Sequence, residues 1–283
     1  MLKRIKHLIS GVLTAILVLA ILVSPVSALE QGREYSIGGT HIDSAPEAEE
    51  SGVTFVPLRT FLDSLGVYYS LEWDQQYRRA FVYAWGLSLS VGEGDRYLKA
   101  NGRCLYLYGT CYLLNDRLMV PLQPLAQACG MEAEWDEKTR ELRLEGQYSP
   151  ILSGEDFYDE TELYWLSRII YAEAGIECFD GQVAVGNVVL NRVARKYWPD
   201  TVYGVVFDDR FGVQFTPAAS GTIYLEPSAQ AVAAAKVALE GVSLVEDSLY
   251  FVNESVSSCK WFRENCTYVT AIGRHTFYTS DTQ

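Results

Sequence analysis

Histidine is scarce in this chain: His7, His41 and His275 are the only three among 283 residues. The six cysteines (Cys104, Cys111, Cys129, Cys178, Cys259 and Cys266) include no pair at the close spacing of a zinc site. No metal and no cofactor is therefore expected, and His41, alone in its half, reads as a solvated side chain. No cysteine has the histidine neighbourhood that would make it a nucleophile. Basic charge is also short, with 23 Lys and Arg against 36 Asp and Glu, a net of −13. That balance excludes nucleic-acid binding through a general basic surface. Beyond residue 23 no apolar run approaches the roughly 18 residues of a spanning helix. Yet 49% of the residues are hydrophobic and 13% aromatic, so the chain has ample material for a core of one large or two ordinary domains.

The first 28 residues stand apart. Lys3, Arg4, Lys6 and His7 precede an uncharged apolar run from Leu8 to Val23, then Pro25 and the small residues Val26-Ser27-Ala28. This is the layout of a secretory signal cut after Ala28; an uncleaved membrane anchor is the other reading. Removing residues 1–28 takes away three basic and no acidic side chains, which deepens the net charge to −16. Export would permit disulfides. Cys104 and Cys111 flank Gly109-Thr110 in an expected hairpin, Cys259 and Cys266 close a short loop, and both pairs are candidate staples. Cys129 and Cys178 read as plain buried thiols.

Residues 33–146 contain a repeat. Val53-Thr54-Phe55-Val56-Pro57-Leu58-Arg59, Leu65-Gly66 and Leu71-Glu72-Trp73-Asp74 recur as Leu118-Met119-Val120-Pro121-Leu122-Gln123, Cys129-Gly130 and Ala133-Glu134-Trp135-Asp136. The prolines lie 64 residues apart and the tryptophans 62. Each copy reads as strand, short helix beginning at proline, glycine stop, then a strand pair. The tryptophans read as core. The pattern resembles the copper amine oxidase N-terminal-like stalk domain of exported Gram-positive proteins. The name brings no copper with it here, because His41 has no companion ligands. This half is expected to be a spacer or a module with a wall or protein partner.

Residues 147–157, rich in turn formers, read as a linker. A helix over about 161–174 follows, on which Leu163, Leu166, Ile170 and Glu173 form one stripe. Glu173 thus continues an apolar face, where partial burial would raise its carboxyl pKa, as a general acid requires. Glu177 stands four residues on and is expected at a cleft edge. A glutamate at a helix end is more often a plain solvated charge, and periodicity alone does not separate the two readings.

The longer string does. Arg168-Ile169-Ile170-Tyr171-Ala172-Glu173-Ala174, Glu177, Gly181 through Val193, Tyr203 through Phe207, Gln214-Phe215, Gly221 through Tyr224, Leu249 through Asn253 and Ile272 through Phe277 resemble the cell-wall hydrolase family of spore-cortex-lytic enzymes. The resemblance spans residues 158–279 and implies a small lysozyme-like catalytic domain. It also implies cleavage of the bond between N-acetylmuramic acid and N-acetylglucosamine in peptidoglycan, leaving an anhydro-sugar end. Glu173 matches the family's catalytic glutamate, and Glu177 is the candidate second carboxylate. Gln214, Phe215, Tyr224, Asn253, Trp261 and His275 are implied cleft residues, with Phe215 and Trp261 as sugar platforms. The chain departs from the family at Gly175-Ile176, where Arg-Gly is common, and at Cys178, where proline is.

The fold class expected is therefore α+β in two domains: a repeat-built stalk of strands and short helices, then the lysozyme-like domain. The partner expected is the peptidoglycan glycan strand, with no nucleic acid, and the membrane is touched only by an uncleaved leader. The protein would be secreted or held in the wall or spore envelope. Whether it is a transglycosylase, a hydrolysing muramidase using both glutamates, or a non-cutting glycan binder stays open at this point.

Overall fold

The computed structural model describes residues 35–37, 40–42, 52–136, 141–210, 212–254 and 260–280. The leader, Cys259 and the side chain of His41 lie outside what is described. Two domains result, a strand-rich one and a helical one, as the α+β expectation held.

In the first domain β1 (Tyr35–Ile37) and β2 (Thr40–Ile42) pair as a hairpin. The first repeat copy is β3 (Phe55–Pro57), α1 (Leu58–Ser64), β4 (Tyr69–Asp74) and β5 (Arg79–Ala84). β6 (Leu87–Gly92), β7 (Tyr97–Ala100), β8 (Arg103–Tyr106) and β9 (Tyr112–Leu114) intervene. The second copy is β10 (Arg117–Pro121), α2 (Leu122–Ala128), β11 (Glu132–Asp136) and β12 (Glu141–Glu145). The copies meet where their proline strands pair antiparallel, Val56 opposite Val120. Pro57 and Pro121 cap the helices at φ −64° and −54°, the value a pyrrolidine ring imposes, so no backbone donor is lost there. Leu58, Phe61 and Leu62, like Leu122 and Leu125, turn inward. Gly66 and Gly130 stop the helices at φ +65° and +67°. At Gly130 a Cβ would stand 1.9 Å from the Ser149 carbonyl oxygen, so only glycine fits.

β4 through β8 form one antiparallel meander. The hairpin expected between Cys104 and Cys111 does not form, because β8 ends this sheet whereas β9 pairs with β10 in another. Cys104 packs into the core of the second domain and Cys111 into that of the first, so the expected staple is not made and both thiols are free. Burial pushes the Cys104 thiol up to about 11. Cys266 is also a free thiol, and Cys178 is exposed instead of buried.

The connecting segment lies strapped to the first domain. Ser149 N–H donates to the Cys129 carbonyl at 2.9 Å, Asn101 Nδ2 to that of Ile151 at 2.9 Å, and Gly154 N–H to that of Asn101 at 2.7 Å. After α3 (Gly154–Phe157), the second domain is built from α4 (Glu160–Ala174), α5 (Phe179–Val193), α6 (Val202–Val206), α7 (Thr216–Ser220) and α8 (Ala229–Leu239). It closes with β13 (Tyr250–Asn253), α9 (Lys260–Asn265), β14 (Thr267–Ile272) and β15 (His275–Thr279), in the sheet order β13-β15-β14. Asp159 caps α4 by accepting from Glu162 N–H at 2.9 Å. α5 is the central helix, buried from Gly181 to Val189.

Helices α4, α5 and α8 approach closely through small residues. A Cβ at Gly186 would meet Ile170 Cδ1 at 2.9 Å and Ala238 Cβ at 3.3 Å. Gly186→Val should therefore overpack this contact and cost about 1–3 kcal/mol, read as a lowered denaturation midpoint. A midpoint equal to the parent's would show that the helices can part without loss.

The two domains share more than a linker. Cys104 and Tyr106 of β8 lie in the same apolar cluster as Leu166, Val185 and Ala234 of the helices. Arg103 grips Glu240, just past α8, through two hydrogen bonds of 2.9 and 2.5 Å, and Tyr158 donates to the same carboxylate at 2.5 Å. Arg96 and Tyr106 reach Asp180 in the first turn of α5 at 2.6 and 3.0 Å, while Tyr97 stacks on Phe179 at 5.0 Å.

Candidate active site

Glu173 sits on the last turn of α4, two residues before Gly175 ends the helix. The stripe of Leu166 and Ile170 that carries it is wholly buried, so its carboxyl is half-buried. Burial raises the Glu173 pKa above the ordinary glutamate range, and the nearby charge of Arg192 opposes the rise. No hydrogen bond among the described residues adds to either effect.

Arg192 is the residue that reading the sequence missed. It comes from the last turn of α5 and is 5% exposed. Its Nε donates to the Leu249 carbonyl at 2.8 Å, and its guanidinium carbon lies 4.4 Å from the Trp198 ring centre and 5.0 Å from that of Phe215. Nη1 is buried without a hydrogen-bond partner among the described residues. Burial lowers the Arg192 pKa to about 10, against the pull of Tyr250, Asp208 and Glu173, so the group stays charged at neutral pH. The signal was available: Val185, Val188, Val189 and Arg192 lie on one stripe of α5, a charge on an apolar face like that of Glu173. Asp208 completes the charge set. Its carboxylate holds Arg210 at 2.8 and 2.9 Å, which keeps its pKa below the usual range.

Glu177 occupies a different setting from the cleft edge expected. It is 9% exposed, and one carboxylate oxygen accepts the Arg274 N–H at 3.0 Å. The turn between β14 and β15 closes directly onto it. Gly273 has φ +60°, and a Cβ there would fall 2.4 Å from that same oxygen. Glu177 thus ties the C-terminal hairpin to the loop between α4 and α5. The departures beside it, Ile176 and Cys178, both face solvent.

The remaining candidates divide. His275, on β15 opposite Asn253 of β13, is buried, and its ring meets Phe251 edge-on at 5.1 Å. Burial lowers the imidazole pKa while the Glu177 charge raises it, and Nδ1 has no hydrogen-bond partner among the described residues. Gln214 is half-buried, with Nε2 donating to the Gly212 carbonyl at 2.9 Å, beside a hollow of about 150 Å³ that Asp208 and Val213 also line. Phe215 is 2% exposed beneath Arg192, so its ring has no open face for a sugar and serves as packing. Trp261 of α9 is exposed, edge-on to Tyr250 at 6.4 Å. Tyr224 is exposed too, but it packs against Trp165, eight residues or about 12 Å up α4 from Glu173. Glu173, Phe215 and Tyr250 therefore gather around Arg192. Glu177, Asn253 and His275 form the neighbouring hairpin end. Among the described residues no cluster of three His, Cys, Asp or Glu side chains is placed to hold a metal ion.

Residues 176–278 match the family described as Cell Wall Hydrolase, and residues 36–144 match the copper amine oxidase N-terminal domain. Residues 176–278 are thus similar to cell wall hydrolases and residues 36–144 to copper amine oxidase N-terminal domains. The family match begins three residues after Glu173. Spore cortex-lytic enzymes of Oceanobacillus iheyensis and Bacillus cereus are each 35% identical over 120 residues, which is 42% of this chain and 42% and 45% of theirs. The chain thus spans less than half the length of these curated relatives. The catalytic domain of the germination-specific lytic transglycosylase SleB from Bacillus anthracis is 33% identical; the likeness covers 46% of this chain and all of that one, with a TM-score of 0.40.

Proposed function

We propose that the protein is an exported peptidoglycan-degrading enzyme that cleaves the bond between N-acetylmuramic acid and N-acetylglucosamine as a lytic transglycosylase. One observation carries this reading: Glu173 is a half-buried carboxyl with a raised pKa, whereas Glu177 is engaged with the Arg274 backbone. A single free carboxyl suits transglycosylation; hydrolysis ordinarily calls on two.

In the reaction, protonated Glu173 gives its proton to the glycosidic oxygen, and the bond to the muramic C1 breaks with the glucosamine 4-hydroxyl leaving. The ring passes through an oxocarbenium-like state. Its own 6-hydroxyl oxygen attacks C1, forming the 1,6-anhydro bond, and that hydroxyl's proton returns to Glu173. Arg192 steadies the carboxylate in the interval. Because the bond forms within one sugar, no water need be positioned and the carboxyl ends in its starting state.

Incubating the full chain with purified peptidoglycan and weighing the released muropeptides tests the proposal. Anhydro ends are expected; reducing ends would establish hydrolysis, and no release would leave a glycan binder. The acid form of Glu173 is the active one, so kcat/KM should fall as pH rises through its raised pKa. That descending limb should lie clearly above the ordinary glutamate value of about 4.3. A limb at the ordinary value would mean that burial does not tune this group.

A further inference from the structure

A concavity on the first domain lies far along the chain from Glu173. It encloses about 770 Å³ between the edge strand β4, helix α1 and the hairpin of β9 and β10. That is within the roughly 300–1,000 Å³ usual for small-ligand sites. Its wall includes Trp73, which the repeat pattern marked as core and which is instead 37% exposed. Trp73 Nε1 donates to Gln75 Oε1 at 2.9 Å, so the indole is held in a set orientation with part of its surface open.

We infer that this cavity is a saccharide-binding site, taking a segment of the same glycan strand that the second domain cuts. The inference rests on the wall-polymer reading above. A sugar offers an apolar C–H face and a rim of paired hydroxyls. The cavity offers the Trp73 ring with Leu71 for the first. For the second it offers the planar, two-pronged groups of Arg59, Asp63, Asn115 and Asp116. Asn115 and Asp116 sit in the two-residue turn between β9 and β10 at φ +48° and +60°, a tight form that these residue types tolerate.

The test uses the full chain with Glu173→Gln, so that the polymer stays intact. Co-sedimentation with purified peptidoglycan should show binding, and adding Trp73→Ala should weaken it about tenfold, the loss expected of one stacking contact. Trp73→Phe keeps a ring and should retain most of the affinity. Chitotetraose, as a soluble probe, should change the tryptophan emission of the parent more than that of Trp73→Phe. Binding within twofold of the parent for Trp73→Ala, or an equal emission change in Trp73→Phe, would overturn the assignment. Muropeptide release by the chain with Glu173 intact reports separately on the cutting reaction, so loss of one reading is distinguishable from loss of the other.

Discussion

Glu173→Gln should reduce muropeptide release by at least 10²- to 10⁴-fold, the contribution of a positioned general acid and base, while the fold persists. Glutamine fills the same space but can neither give nor recover a proton. A second outcome separates this residue from an ordinary core position. The folded state raises the carboxyl pKa, so between the unfolded and folded values, and above them, ionisation of Glu173 opposes folding. Removing the ionisable group removes that cost at neutral pH, and the variant should melt at or above the temperature of the parent. Calorimetry beside the release assay checks both. A variant that keeps more than a tenth of the activity would place the acid elsewhere, with Glu177 the first residue to examine.

The second large effect lies at the seam between domains. The side chains of Arg103 and Glu240 are 9% and 3% exposed, and Tyr158 completes the carboxylate's partners. Removing one member of such a pair leaves an uncompensated buried charge, which costs about 3–5 kcal/mol. Glu240→Ala should accordingly lower Tm by roughly 10 °C for a chain of this size. The double variant Arg103→Met, Glu240→Leu replaces both charges with apolar volume and should recover most of the loss. A single variant within 1 kcal/mol of the parent would mean that water already reaches the pair. The Arg96–Asp180 contact, with its side chains about a third exposed, should cost far less to break.

Local pattern made much of this molecule legible. The two proline-led copies appear at their expected places because capping and glycine stops are decided within a few residues. Helical spacing put Glu173 on an apolar face, and the resemblance over the longer string singled it out as the candidate acid. What stayed hidden depends on long separations. Nothing near Arg103 announces a partner 137 residues away. Cys104 and Cys111, seven apart, looked paired, and only the sheet order reveals that they serve different cores. An aromatic beside a polar motif has the same composition whether it faces solvent, as a sugar platform must, or lies under a buried arginine, as Phe215 does. Trp73 erred in the opposite direction, since an apolar ring on an edge strand is not obliged to be covered.

The shared core also sets an order of events in synthesis. A growing chain completes the five-stranded sheet when β8 emerges, with Cys104 and Tyr106 on its outer side. Their covering helix α8 follows only after residue 229. Until then that face is covered only in part, by Tyr158 and the start of α5, and its remaining apolar surface is open to self-association. Slow steps in refolding should therefore trace to the arrival of α8 on the sheet, and truncated chains ending before it should be the ones that aggregate.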